Sequence, residues 1–481
     1  MRIQFINPLL GGDFSSLDIA ITSLATYLNE KTKHKAAIID MTFNTRKWQE
    51  HLRGNIEKFK PDVIAMSCNT MYMQYVRKIA QEIQDKYKLP IVLGGYHASI
   101  HPEDTITVPG TIAVCIGDGE FVLAELLDRL EKGKSLKGLN GMWVKEKGVI
   151  IKNERGSFTR NLDDFPIPNW DLWEDIEKYF YYLGMLYIIG TRGCPYRCTY
   201  CDAHGISQSV KGPYYRVRDP RAYAKEIAYQ WKRYESKGMR LAQLFDQVLT
   251  FDKAWLKEFC EEYRSLLDVN KYKFSAFSRI DNLDEEKIDI LSKSGCALLR
   301  VGIEAGDDFI RNKIYRKNIK DEQIKNIFKL CKQKGIGFTA FYILGGPAET
   351  RKTINTTINL ARELDAERSA FFIYKPFTDE GVKQIKEYGG SIDEHLWRAA
   401  DNITFDAVVK LKDLTPKQVE WLQRKAYFYT FGRRLLRMLA RQHIFYFTRL
   451  ITYMSKGLID GLDYHYLMPY YHIYGYDNVK R

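Results

Sequence analysis

The sequence predicts an α/β protein. A doubly wound parallel sheet comes first, then a partial barrel of six strand–helix units, then a mostly helical, basic carboxyl-terminal region. Three observations carry this. Short β-branched runs alternate with helix-length amphipathic stretches over the first 132 residues or so, the rhythm of a sheet with helices on both faces. Six further strand–helix units follow between Met185 and Lys375. At 481 residues the chain exceeds what one core fills, so more than one domain is expected.

In the first region Arg2–Asn7, Ala36–Asp40, Val63–Ser67, Ile91–Leu93 and Ile112–Ile116 read as strands, with helices at Ser16–Glu30, Tyr72–Tyr87 and Glu120–Lys132. Ligands of such sheets sit at the carboxyl edge. The loops there carry Asn7 to Gly12, Ser67-Cys68-Asn69-Thr70, Gly94-Gly95-Tyr96-His97-Ala98 and Gly117-Asp118-Gly119-Glu120, small residues that let a large flat ligand approach the backbone. Residues 1–135 form this domain, and 136–184 form a connector. It starts with a hairpin over Gly141–Ile151 and continues through Asp163-Asp164-Phe165-Pro166-Ile167-Pro168, stiffened by its prolines.

Residues 185–380 form the second domain. Its strands are expected near Leu186–Gly190, Leu241–Phe245, Lys273–Phe277, Leu298–Ile303, Gly337–Ile343 and Phe371–Lys375, with helices such as Pro220–Tyr234 and Asp321–Gly335 between them. Directly after the first of these strands stand Cys194, Cys198 and Cys201, spaced C-x3-C-x2-C. Three thiolates on one loop can hold a cubic iron–sulfur cluster by three irons and leave the fourth open. The alternative is structural zinc, with His204 completing a Cys3His set. Cys68, Cys115, Cys260, Cys296 and Cys331 are dispersed in expected core elements, a pattern of a reducing cytosol rather than of a disulfide framework.

The cysteine spacing, with Tyr200 just before the third cysteine, resembles the radical S-adenosylmethionine (SAM) superfamily. The resemblance implies a 4Fe-4S cluster on Cys194, Cys198 and Cys201 whose open iron chelates SAM, with Tyr200 near the adenine. The strand tips agree in place and type. Phe245-Asp246-Gln247 ends the second strand, Ser278-Arg279 follows the third, Gly302-Ile303-Glu304 ends the fourth and Gly345-Gly346-Pro347 ends the fifth. Glu304 suits the ribose hydroxyls or the ammonium group of SAM. Gly345 and Gly346 leave the backbone bare beside the adenine, and Arg279, or Ser278 beside it, suits the methionine carboxylate, with a surface or linker ion pair as the equal reading of Arg279. Asp246 either faces the site or caps a helix, and Arg316 reads equally as a surface ion pair or a SAM contact.

Ahead of this core, the first domain resembles the cobalamin-binding domain of the methylcobalamin-type subfamily. The implied cobalamin contacts are Asn7, Ser67, Thr70, Gly94, Gly95, His97, Gly117 and Gly119. The D-x-H-x-x-G motif that supplies a histidine to cobalt is absent, so His97 is expected beside the cofactor's tail and not on the metal. The implied activity is methyl transfer to an unactivated carbon of a small-molecule substrate, with electrons from a flavodoxin or ferredoxin. The alternative is a related reaction without methylation, such as oxidative cyclisation of a magnesium porphyrin ester or ring rearrangement. A non-enzymatic cobalamin- or redox-sensing module is the reading from another class. A methylthiotransferase needs three more amino-terminal cysteines, and only Cys68 and Cys115 are there.

The net charge is +13. Residues 381–481 are expected to be mostly helical, and Arg424 to Ile459 holds eight cations, no acidic residue and many aromatics. Such a segment fits a helix packed on the barrel, an anionic membrane surface or an anionic ligand, nucleic acid being the least favoured. The closing tyrosines, Tyr464 to Tyr476, read as a lid over a lipidic, aromatic or anionic substrate. The chain opens directly on a strand without a signal-peptide layout and holds no run of eighteen apolar residues. The expected location is the cytoplasm, with peripheral membrane contact through the basic segment.

Overall fold

The computed structural model describes residues 1–10, 17–393, 396–397, 405–440, 452 and 455–456, with backbone alone for 431 and 433–440. The described chain divides into two units, Met1–Tyr179 with Asp202–Arg218, and Phe180–Cys201 with Asp219–Lys456.

The first unit is built on β1 (Arg2–Asn7), β2 (Lys35–Asp40), β3 (Val63–Ser67), β4 (Ile91–Gly94), β5 (Thr111–Cys115), β6 (Met142–Glu146) and β7 (Val149–Lys152). They form one sheet in the order β2-β1-β3-β4-β5-β6-β7, parallel through β5 and antiparallel beyond. Helices α1 (Ile19–Lys31), α2 (Trp48–Phe59), α3 (Met73–Lys86), α4 (Tyr96–Ile100), α5 (Pro102–Thr105) and α6 (Glu120–Glu131) supply the crossovers. Apolar residues of the strands and of the inward helix faces, among them Ile6, Ile64, Leu93, Val76, Ile79 and Ile83, close the core. The strand order reverses between β1 and β3, so Asn7 and Ser67 end adjacent strands at the switch point where such sheets bind ligands.

The connector expected over 136–184 is mostly part of this unit. Its hairpin, β6 and β7, extends the first sheet by two strands, because β5 offers an open edge that Met142, Trp143 and Val144 pair with. The proline-bearing stretch is pinned as well. The Asn169 amide donates to Thr26 Oγ1 at 2.9 Å, and Trp173 Nε1 donates to Thr22 Oγ1 at 2.8 Å.

After α7 (Ile176–Tyr182), the second unit holds β8 (Met185–Ile188) and β9 (Thr191–Arg192); α8 (Ala203–Ser209) and β10 (Arg216–Val217) belong to the first. Next come α9 (Pro220–Tyr234), β11 (Leu241–Leu244), α10 (Lys253–Leu266), β12 (Phe274–Ser278), α11 (Glu285–Lys293), β13 (Cys296–Glu304), α12 (Asp321–Gln333), β14 (Gly337–Leu344), α13 (Arg351–Leu364) and β15 (Arg368–Ile373). The sheet runs β15-β14-β13-β12-β11-β8, every pair parallel and every neighbour the next in sequence, the topology of the expected partial barrel. Helix starts are set by side chains. Asp219 caps α9 ahead of Pro220, Asp252 caps α10 through the Trp255 amide, and Thr350 with Thr353 forms a capping box on α13.

Beyond β15 lie α14 (Asp379–Glu387) and α15 (Pro416–Ala440). The start of α15 packs on the outer barrel: Gln423 Nε2 donates to the Phe371 carbonyl at 2.6 Å, and Lys425 donates to Asn355 Oδ1 at 3.0 Å. Lys425, the second of the basic residues, is therefore engaged with the barrel. The side chains of Arg433, Arg434, Arg437, Arg441 and Arg449, the closing tyrosines, and Gly11 with Gly12 lie outside the described residues. No helix among the described residues is long and apolar enough to cross a membrane.

Candidate active site

Strand β8 delivers the chain into the cysteine loop, and Asp246 fixes its exit. The carboxylate of Asp246, fully buried, accepts from the Gly190 amide at 2.9 Å and from the Tyr223 hydroxyl at 2.7 Å. Burial pushes this carboxyl above the usual carboxylate range, opposed by those hydrogen bonds. Asp246 thus braces the start of the cysteine loop from the end of β11. It neither projects into the site nor caps the next helix, which is Asp252's task.

Cys198 is buried, while Cys194 and Cys201 are half-buried, and none of the three is in a disulfide. The Cys201 amide donates to the Cys198 carbonyl at 3.1 Å, folding the loop into a turn. Among the described residues no three His, Cys, Asp or Glu side chains converge as a single metal ion needs. His204 turns its ring to Ser207 and Gln208, 3.4 and 3.2 Å away. Three thiolates on one loop suit a cube, each sulfur on a different iron.

Around the loop the strand tips converge. Tyr200 donates its hydroxyl to Glu304 Oε1 at 2.8 Å, and Lys317 Nζ, itself buried, reaches the same oxygen at 3.1 Å. Burial, then the Glu304 carboxylate, holds the Tyr200 phenol well above its ordinary value, so it stays a donor. Glu304 sits at φ +69°, after a register shift at the end of β13. That left-handed backbone turns the carboxylate back over Gly302, where a Cβ would stand 2.0 Å from Oε1. Left-handed conformations at Arg316 and Asn318 likewise carry Lys317 inward between them. Arg316 itself pairs with Glu380 at the surface, the bland of its two readings. Thr199 and Thr378 tie the loop down further, through the Ile314 carbonyl at 2.7 Å and the Thr199 carbonyl at 2.6 Å.

Arg279 is in an ion pair, with Asp281, but a buried one. Its guanidinium makes two 2.9 Å bonds to Asp281, one of 2.9 Å to the Lys317 carbonyl and one of 3.2 Å to Cys198 Sγ. Its plane lies 3.7 Å over the Tyr196 ring. Gly345 and Gly346 are not bare amides either: both donate to Glu349 Oε2, at 2.6 and 3.0 Å. Glu349 is buried with its other oxygen lacking a hydrogen-bond partner, and burial pushes its carboxyl up to about 8. Glycine is nonetheless required at 346, where a Cβ would meet the Tyr315 hydroxyl at 1.9 Å.

In the first unit, the edge residues expected around a cofactor are largely used by the chain itself. Asn7 donates to Asp40 Oδ1 at 3.0 Å. Gly95, at φ +100°, lies so close to Cys68 that a Cβ would be 2.9 Å from its backbone, and Gly117 and Gly119 are packed by Val210 and Leu24. Gly94 has only Cys115 near it. Asp118 accepts from the Thr159 amide at 2.9 Å and pairs with Arg216. Gly95, Gly117 and Gly119 are thus closely packed by the chain itself, while Gly94 is not. His97 is held at both nitrogens, by Thr70 at 3.1 Å and Asp104 at 3.0 Å, with Asp104 paired in turn to Arg77. Both ring nitrogens are thus engaged within the chain. Ser67 is half-buried at the switch point and hydrogen-bonded to the buried Asp18 carboxylate, and Tyr96, beyond Gly95, is 48% exposed.

Lys317, Asp281, Glu349 and Tyr315 were missed in the sequence.

Two family models match the chain. Residues 188–361 match the radical SAM superfamily, and residues 13–127 match the B12 binding domain. An uncharacterised methyltransferase of Pyrococcus horikoshii is 29% identical over 451 residues, 92% of this chain and 93% of that one. The anaerobic magnesium-protoporphyrin IX monomethyl ester cyclase of Rubrivivax gelatinosus is 26% identical, across 78% of this chain and 68% of that one. Among solved structures, the radical S-adenosylmethionine methyltransferase TsrM of Kitasatospora setae, with cobalamin and a [4Fe-4S] cluster bound, superposes with a TM-score of 0.69 at 18% identity, over 90% of both chains. At that identity the likeness establishes the fold.

Proposed function

The chain belongs to the radical SAM superfamily and carries a B12 binding domain ahead of its barrel, and from that premise we propose that it methylates an unactivated carbon of a small molecule. The observation that carries the reading is the Tyr200–Glu304 hydrogen bond, which brings the cysteine loop to the strand tip best suited to hold SAM. Bound to this chain, the cluster and SAM supply a hydrogen-abstracting 5′-deoxyadenosyl radical, and cobalamin supplies the methyl group. Cys194, Cys198 and Cys201 would hold the cluster. Glu304, oriented by Tyr200 and Lys317, would accept from SAM's ribose or ammonium group, and the Gly345–Gly346 backbone, stiffened by Glu349, would flank the adenine. In the first unit, Ser67, Thr70, Gly94 and the His97 loop would border the cobalamin. The length over which the archaeal methyltransferase matches supports methylation over cyclisation.

One row of side chains bears on the substrate. Tyr187, Phe245, Phe277, Phe341 and Phe372 form a chain of rings 5.0, 5.1, 6.1 and 5.8 Å apart across the barrel sheet, on the face opposite the helices. Phe245 is 39% exposed. Partly open rings in such a row favour an aromatic or otherwise apolar substrate face over a highly charged one.

The test is product balance in reduced, cofactor-loaded enzyme. Methylation with two SAM molecules per turnover yields 5′-deoxyadenosine and S-adenosylhomocysteine in equal amounts. 5′-Deoxyadenosine alone, with no label passing from methyl-labelled SAM to substrate, would point to the cyclisation chemistry instead.

A further inference from the structure

We propose that Arg279 is a positioning residue for the cluster, one that donates from Nη1 to the sulfur of Cys198 and thereby sets the cluster's reduction potential. The inference rests on the reading of Cys198 as a cluster ligand. A guanidinium has five N–H donors. Four are spent inside the protein, two on Asp281, one on the Lys317 carbonyl and one on Cys198 Sγ. A side chain meant to grip the carboxylate of a bound ligand would keep its forked edge free for bidentate contact. Here that fork is closed on Asp281, and the remaining nitrogen points at the sulfur.

The surroundings hold this pose. Tyr196, two residues before Cys198, lies under the guanidinium at 3.7 Å, and its hydroxyl accepts from Asn282 on the turn that follows Arg279. The cysteine loop and the end of β12 are therefore locked together by one stacked cation and two hydrogen bonds. The contact is buried: Arg279 is 6% exposed and Cys198 9%. A cation and N–H donor on a thiolate ligand withdraw charge from the metal and favour the reduced cluster, so the potential rises. Low dielectric strengthens the effect.

The experiment is a reductive titration followed by electron paramagnetic resonance, on full-length protein reconstituted with iron and sulfide, without SAM. Arg279→Gln is expected to keep its iron and to shift the midpoint to more negative potential. Arg279→Lys should recover part of the shift, since it restores charge near the sulfur. Asp281→Asn, which removes the anion that offsets the guanidinium, should move the midpoint the opposite way, to more positive potential. Arg279→Gln with full iron and an unchanged midpoint would overturn the proposal, and a tenfold weaker SAM affinity beside that unchanged midpoint would restore the carboxylate role. Should Arg279→Gln hold no cluster, unchanged midpoints in both Arg279→Lys and Asp281→Asn overturn it equally. A wild-type protein that forms no 4Fe-4S cluster would instead defeat the proposed function itself.

Discussion

Glu304 Oε1 accepts from both the Tyr200 hydroxyl, at 2.8 Å, and the Lys317 ammonium, at 3.1 Å. One oxygen therefore joins the cysteine loop, the tip of β13 and the turn before α12. Carboxylate and ammonium are both buried, 6% and 4% exposed, so each depends on the other.

That dependence is measurable. Glu304→Ala leaves Lys317 buried and uncompensated, a loss of about 3–5 kcal/mol in urea unfolding. Tyr200→Phe removes one donor and is expected to cost about 1 kcal/mol while the bound iron is retained. Adding Lys317→Met to Glu304→Gln should recover most of the stability without recovering SAM binding. A double variant that binds SAM like wild type would refute the role of Glu304.

Asp246 carries a separate prediction. Asp246→Ala strands the buried Gly190 amide and weakens the hold on Tyr223, at about 1–3 kcal/mol per group left without a partner. Asp246→Asn keeps one acceptor oxygen and should lose less. Because the brace stands just before Cys194, iron per chain after anaerobic reconstitution should fall in the alanine variant and fall less in the asparagine variant.

Glu349 predicts a pH dependence. Its folded-state value, about 8, is raised above the usual 4.5 of a free glutamate. The contribution of this group is thus fully present below about pH 4.5 and is lost as pH rises toward 8. Wild type should lose about 1.4 kcal/mol per pH unit from this proton within that window. Glu349→Gln lacks the term, so its stability relative to wild type should increase from pH 5 to pH 8 and level off above. Parallel stability–pH curves for the two proteins would show that Glu349 does not titrate there.

His97 offers a spectroscopic check. With both nitrogens engaged by Thr70 and Asp104, it is not expected on cobalt. Protein loaded with hydroxocobalamin should give a base-off spectrum, and His97→Ala should leave that spectrum unaltered. A base-on spectrum lost in the variant would assign His97 to the metal.

Much of this architecture was legible in local pattern. The barrel strands fall where the apolar runs lie, and each ends within a few residues of its expected tip, because parallel buried strands read as continuous β-branched and aromatic runs. The three cysteines and Glu304 stood out by spacing and by residue type. What escaped depends on contacts distant in sequence. The β6–β7 hairpin reads as a linker until the open edge of β5 is known. The purpose of Gly95 and Gly117 could not be told from their loops, since Cys68 and Val210 fill the space a side chain would need. Arg279 showed its charge but not its partners, because Asp281 and the Lys317 carbonyl approach from turns with no periodic signal. Lys317 was hidden for the same reason: a lone lysine in a polar turn reads as solvated, and only the left-handed residues beside it carry it inside.

The cluster is the premise of every later step, and metal analysis of anaerobically purified protein tests it most directly. The account predicts brown protein with about four irons per chain, reductive cleavage of SAM to 5′-deoxyadenosine, and loss of both when Cys194, Cys198 and Cys201 are replaced together by alanine. Stoichiometric zinc with little iron, in protein handled without oxygen, would contradict it.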